Sequence, residues 1–260
     1  MNQAELEEAG IENRNHFDSS EDPGMRQQLE SMRVFAETIV QCKFSPAERE
    51  AFAKIIRQFN TLYWELGIQT WCATQWRGVS VFKPPTDLWI YQELIYNLKP
   101  DLIIETGTCA GGSALYMADL MRVTNTIGKI ITIDINKEHL HEEFLLACQT
   151  WPYRIEFVEG SSTSQKVWQH IQMIASRKQK VVVILDSDHS YEHVTKELEL
   201  YAPLVSIGSA LIIEDTGNCE GARQAAHDWF VQHQKTFKQD FMCEKFMLTF
   251  NRDGYFERID

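Results

Sequence analysis

Residues 102–113 read LIIETGTCAGGS, a short apolar run closed by an acid and followed by glycines at 107, 111 and 112. A run of that length, apolar on both faces, predicts a strand buried in a parallel sheet. The small residues after it predict a tight turn into a helix beginning near Gly112. Residues 129–134, 155–158, 181–186 and 210–215 are further runs of the same kind, separated by amphipathic stretches such as the helix expected from Asn136. Such alternation describes an α/β fold, a mostly parallel twisted sheet with helices on both faces. Near the end, residues 245–250 and 255–259 flank Asn251-Arg252-Asp253-Gly254, whose Asp-Gly predicts an antiparallel hairpin.

Upstream the pattern changes. Residues 1–24 are polar and predict a flexible N-terminus, and residues 25–99 read as a helical extension or cap ahead of a Rossmann-like domain at 100–260. Ser45-Pro46-Ala47-Glu48 is a helix start, with Ser45 as cap, Pro46 at the first helical position and Glu48 three residues on. A second helix, about 86–98, is closed by Lys99-Pro100. Tyr63, Trp64, Trp71 and Trp76 form an aromatic-dense connector that either completes the cap or roofs a substrate pocket.

The 260 residues carry 25 Lys+Arg against 37 Asp+Glu, a formal charge of -12, which leaves no footprint for nucleic-acid phosphates or anionic lipid. No apolar run is long enough for a membrane span and the first residues hold no secretory signal, so the cytoplasm is the expected compartment. The six cysteines are scattered without a CxxC pair and read as reduced thiols.

In doubly wound sheets ligands lie beyond the carboxyl ends of the strands. The first such end does not match G-x-G-x-x-G, and Glu105 there would repel a pyrophosphate. It suits a nucleoside cofactor bearing an ammonium and a sulfonium. Asp134 ends the second strand about 20 residues after the glycines, the spacing of a carboxylate that accepts ribose hydroxyls. Gly160 and Ser161 follow the third strand, where an adenine would lie. The fourth and fifth ends bring Asp186-Ser187-Asp188-His189 beside Glu214-Asp215. Carboxylates so crowded call for a divalent cation, and oxygen ligands favour Mg2+, with Mn2+ or Ca2+ as substitutes. Asp188 or Ser190 is equally placed to cap the helix starting near Tyr191. His189 or Asp188 is the candidate base for a substrate hydroxyl. Two rivals remain open: His189-Ser190-Tyr191-Glu192-His193 matches the inverted zinc-peptidase signature, and a catalytically silent nucleotide-binding scaffold would keep the same sheet.

Taken together, ETGTCAGGS at 105–113, DSDHSY at 186–191 and LIIEDT at 211–216, with Lys83-Pro84-Pro85-Thr86-Asp87, resemble the cephalosporin hydroxylase family over about residues 78–235. That family belongs to the class I S-adenosylmethionine-dependent O-methyltransferases and is similar to macrolide-sugar and aminocoumarin-sugar O-methyltransferases. The resemblance implies the Rossmann-like class I fold and Mg2+ held by Asp186, Glu214 and Asp215, with His189 or Asp188 as base. It implies cofactor contacts at Glu105, Gly107 and Asp134, and the surrounding candidates are Thr108, Gly111, Ser113, Gly160, Ser161 and Asp186. The implied reaction is metal-assisted methyl transfer from S-adenosylmethionine to a hydroxyl of a sugar, polysaccharide or antibiotic-like acceptor. A homo-oligomer is the expected assembly.

Overall fold

The computed structural model describes residues 45–260 except 68, 69 and 153, so the expectations for residues 1–44 lie outside the described residues. Ser45 opens helix α1, Pro46–Glu65, through the expected reciprocal cap: its N–H donates to Glu48 Oε2 (2.7 Å), and the Glu48 N–H donates to Ser45 Oγ (3.3 Å). A short 3-10 turn, Trp71–Ala73, leads to a two-residue hairpin, β1 (Gln75–Trp76) and β2 (Val79–Ser80). Helix α2, Pro85–Leu98, starts on a proline and stops where Lys99 turns left-handed ahead of Pro100.

From there strand and helix alternate as expected: β3 (Leu102–Thr106), α3 (Gly112–Val123), β4 (Lys129–Asp134), α4 (Glu142–Thr150), β5 (Ile155–Glu159), α5 (Gln165–Ala175), β6 (Val181–Leu185), α6 (Tyr191–Tyr201), β7 (Ala210–Ile213), α7 (Glu220–His233), β8 (Phe237–Gln239) and β9 (Tyr255–Arg258). The seven-stranded sheet has the order β5-β4-β3-β6-β7-β9-β8, and β9 alone runs against its neighbours. Every residue of β3 and β6 is buried, as a strand covered on both faces requires.

Alternation along the strands divides the core. Leu102, Ile104, Val181, Val183, Leu211 and Ile213 face α5, α6 and α7, whereas Ile103, Val182, Ile184 and Ile212 face α2, α3 and α4. Each such side chain, fully buried, contributes roughly 1.5–3 kcal/mol of transfer free energy. Helix α2 supplies Ile90, Tyr91 and Ile95 to that second layer and is thus part of the sheet's own core. Glu50–Asp260 form one compact unit. No helix among the described residues is long and apolar enough to cross a membrane.

Two expectations move. The chain after β4 does not become helical at Asn136, whose Oδ1 instead accepts from the Glu138 N–H (3.0 Å); α4 starts only at Glu142, capped by His141. The antiparallel pair at the end of the sheet exists, but its first arm is β8 and not residues 245–250. There the Thr249 N–H donates to Asn60 Oδ1 (2.9 Å) and the Phe250 N–H to Asp87 Oδ2 (2.9 Å), so side chains take the donors a ladder would need.

Candidate active site

The parallel register aligns the ends of β3, β6 and β7, pairing Thr106 with Leu185 and Leu185 with Ile213. Beyond that edge lies a cavity of about 440 Å³, within the size range of small-molecule sites. Gly107 holds φ +83, and a Cβ added there would fall 1.8 Å from the Asp186 carbonyl oxygen; only glycine lets the ends of β3 and β6 approach so closely. Gly107 and Thr108 line the cavity with Ser113, Asp134 and Gly160, where the cofactor residues were expected. One oxygen of Asp134 accepts from the Cys109 N–H (2.9 Å), tying the loop to the end of β4.

Three expected cofactor residues are absent from the cavity wall. Glu105 is fully buried beneath the loop, where its two oxygens accept from Ser113 Oγ (2.6 Å) and Thr132 Oγ1 (2.7 Å). Burial lifts its carboxyl to about 7 against the opposing charge of Lys83. It anchors the loop and presents no oxygen to a ligand's cation. Gly111 is needed for close packing, since a Cβ there would lie 2.3 Å from the Phe144 ring. Ser161 turns to Thr163, with 3.0 Å between the hydroxyls, and it is Ser162 that reaches the cavity.

At the β6 and β7 ends the acids converge. Asp186, His189 and Asp215 offer one ligand atom each within 4.8 Å of one another; His189 Nε2 lies 3.2 Å from Asp215 Oδ2 and 3.8 Å from Asp186 Oδ1. Glu214, expected as the third metal ligand, lies beneath this group and does not line the cavity. Its Oε2 is 3.1 Å from Lys83 Nζ, while its Oε1 is buried without a hydrogen-bond partner. Lys83 Nζ also donates to Asp186 Oδ2 (2.6 Å). Burial, with the repulsion of Asp186 and Glu214, holds the Asp215 carboxyl well above the usual carboxylate range. Three carboxylates against one ammonium leave room for a dication, and the orphaned Glu214 oxygen is a hard donor with nothing to accept from, so the residues fit Mg2+.

Asp188 differs from its neighbours. Its Oδ1 accepts from the Ser190 N–H (2.8 Å) at the entry to α6, and that bond holds its carboxyl below the usual range. The zinc-peptidase geometry does not form. His189 precedes the helix that carries His193, and His193 Nε2 lies near Ser162 Oγ (3.1 Å) and Glu197 Oε1 (3.4 Å). Among the described residues the sole group able to hold a metal ion is Asp186, His189 and Asp215.

Several site residues carried no role at the sequence level. Lys83 and Asp87 belong to a quoted motif but gave no sign of reaching Asp186 and Glu214, or Phe250 and Tyr255, more than a hundred residues on. Asn251 accepts from the Asp215 N–H (3.0 Å) and fixes its left-handed backbone at φ +59. Trp64 and Trp71 line the cavity, one of the two roles open to the aromatic connector.

A family model described as rhamnosyl O-methyltransferase/CmcI matches residues 68–259. The rhamnosyl O-methyltransferase of Mycobacterium tuberculosis is 38% identical over 154 residues, covering 59% of this chain and 61% of that protein. That of Mycobacterium leprae is 34% identical over 154 residues, 59% of this chain and 65% of that one. The matched region thus spans less than two thirds of the length of these relatives. Among solved structures, a CmcI structure described with Mg and SAM superimposes with a TM-score of 0.60 at 18% identity, covering 74% of this chain and 78% of that one. The O-methyltransferase NovP gives 0.52 at 15% identity, covering 77% and 99%. These two share the fold.

Proposed function

We propose that this chain, which belongs to the rhamnosyl O-methyltransferase/CmcI family, transfers a methyl group from S-adenosylmethionine to a hydroxyl of a sugar acceptor, assisted by Mg2+. The observation that carries this reading is one cavity shared by two sets of residues. Gly107, Asp134 and Gly160 stand at three neighbouring strand ends, and Asp186, His189 and Asp215 at the next two. The name of the curated relatives points to a rhamnosyl unit as the sugar.

When bound, S-adenosylmethionine supplies an electrophilic methyl on sulfur and Mg2+ supplies the Lewis acidity that lowers the pKa of an acceptor hydroxyl. Asp134 accepts from the ribose hydroxyls, and Gly107 lets the backbone approach the cofactor. Asp186 and Asp215 would hold the cation. His189 Nε2 would take the proton of the acceptor hydroxyl. Asp215 Oδ2, 3.2 Å from that nitrogen, is placed to accept from the Nε2–H once His189 has gained its proton. Asp188 lines the same cavity but places its Oδ1 on the Ser190 N–H at the entry of α6, so His189 is the preferred base.

Calorimetry with S-adenosylmethionine and a methyl-transfer assay on methyl α-L-rhamnoside, with and without EDTA, test the reading. The cofactor binds, turnover occurs, and EDTA abolishes it. His189→Ala lowers kcat by roughly 10²–10⁴, the range of general-base catalysis, with cofactor affinity kept, while Asp188→Asn loses less than about tenfold. Absence of cofactor binding at high micromolar concentration would sink the methyltransferase, and binding without any methyl transfer would leave a silent scaffold.

A further inference from the structure

Trp64, near the end of α1, and Trp71, in the turn that follows, stack with ring centroids 4.8 Å apart and planes 16° from parallel. Both are half-buried and both line the cavity. The pair is held rigidly from behind. Trp71 Nε1 donates to the Trp64 carbonyl (3.1 Å), and the Phe250 ring meets both indoles edge-on at 4.9 and 5.4 Å. Gly67 makes room for the arrangement, since a Cβ there would fall 1.3 Å from Trp71 Nε1.

The location of the pair follows from Phe250. Its carbonyl accepts from the Gly217 N–H (2.7 Å), just past Asp215, and the next residue, Asn251, accepts from the Asp215 N–H (3.0 Å). The indoles therefore stand at the β7 end of the cavity, beside the acid group. Asp134 and Gly160 lie toward the other end, on β4 and β5. Phe82 adds a third ring to the wall, held in the left-handed region at φ +57, a strain that clusters at ligand-binding sites.

We propose that the Trp64–Trp71 pair is the acceptor platform, on which the apolar C–H face of a pyranose ring lies so that a hydroxyl on its edge reaches His189. Rigid indoles offer a large apolar face at small entropic cost, and a sugar presents one face of C–H groups with hydroxyls around the rim. The proposal rests on the methyltransferase reading and names the side of the site that selects its substrate.

The test uses the whole chain, methyl α-L-rhamnoside as probe and four forms: wild type, Trp71→Ala, Trp71→Leu and Trp71→Phe. KM for the rhamnoside rises about tenfold or more in the Ala and Leu variants, the loss of roughly 1.4 kcal/mol of stacking. Trp71→Phe restores most of it, and the Kd for S-adenosylmethionine by calorimetry stays within about twofold throughout. The Leu variant keeps an apolar side chain without a flat face, and Trp71→Phe, which returns a ring, separates a lost stacking face from a merely less apolar wall. An unchanged KM in both Ala and Leu variants overturns the platform, as does a wild type that binds cofactor yet takes no rhamnoside. A wild type that binds no cofactor fails on the methyltransferase reading instead.

Discussion

Lys83 keeps a full charge at 2% exposure. Burial alone would strip its proton, but the charges of Asp186 and Glu214 more than offset that cost and hold the ammonium above the usual lysine range. The Tyr91 ring, 5.7 Å away, adds a cation–π contact. Lys83→Met leaves two carboxylates without their counter-charge, and urea denaturation in EDTA should show a loss of about 3–5 kcal/mol, the scale of a broken buried pair. A loss below about 1 kcal/mol, the scale of an exposed pair, would mean that Lys83 is not the anchor of the acid group. The acids themselves were legible in the sequence, because a carboxylate directly after an apolar strand has few structural reasons to be there. Lys83 was not, since its partner lies 103 positions away and an ion pair across that gap leaves no local signal. For Asp188 the sequence offered two roles, base and helix cap, and the structure shows its Oδ1 accepting from the Ser190 N–H at the entry of α6.

The β3–loop–α3 unit shows what a short motif can and cannot specify. Glycines at 107, 111 and 112 announced close approach, and the structure supplies the partners: the Asp186 carbonyl, the Phe144 ring and the Ser80 carbonyl. Gly107→Ala must adopt a positive φ, at about 1–3 kcal/mol, and must also push β6 away from β3. Denaturation and calorimetry on that variant should show lower stability together with loss of S-adenosylmethionine binding; a stable variant with normal affinity would contradict the packing described. The strands of the sheet were legible for a related reason, since residues apolar on both faces have no comfortable place except between two helical layers. Residues 245–250 misled, because the Asp-Gly that follows them marks a hairpin. The donors of that segment are claimed by Asn60 and Asp87, both far back in the chain, and such capture is invisible to any local pattern.

Part of the acid excess lies buried beside the cavity. Asp87 and Glu105 are fully buried, and burial lifts both carboxyls to about 7, Asp87 with added repulsion from Glu214 and Glu105 against the charge of Lys83. Their unfolded values lie near 4, so between about pH 4 and pH 7 the folded protein keeps protons that the unfolded chain has lost. Stability falls across that window as pH rises. His193, held above the usual imidazole range by Glu197, adds to the same trend. Carboxylates held low, such as Asp188, add stability as pH rises to about 5 and contribute no further change above it. The melting midpoint in EDTA should therefore be higher at about pH 5 than at about pH 8, and Glu105→Gln should flatten the difference; a midpoint that rises with pH would refute the assignment. The clamp near the end of the chain carries a further consequence. Asn60 donates to the Met247 carbonyl (2.8 Å) and accepts from Thr249, while Asp87 accepts from Phe250 and from the Tyr255 hydroxyl (3.1 Å). During synthesis every acid of the site, both indoles and the lysine are translated before the residues that lock them in register. A nascent fragment ending before Met247 lacks every one of these partners, so the edge of the cavity at Asn60 and Asp87 closes last.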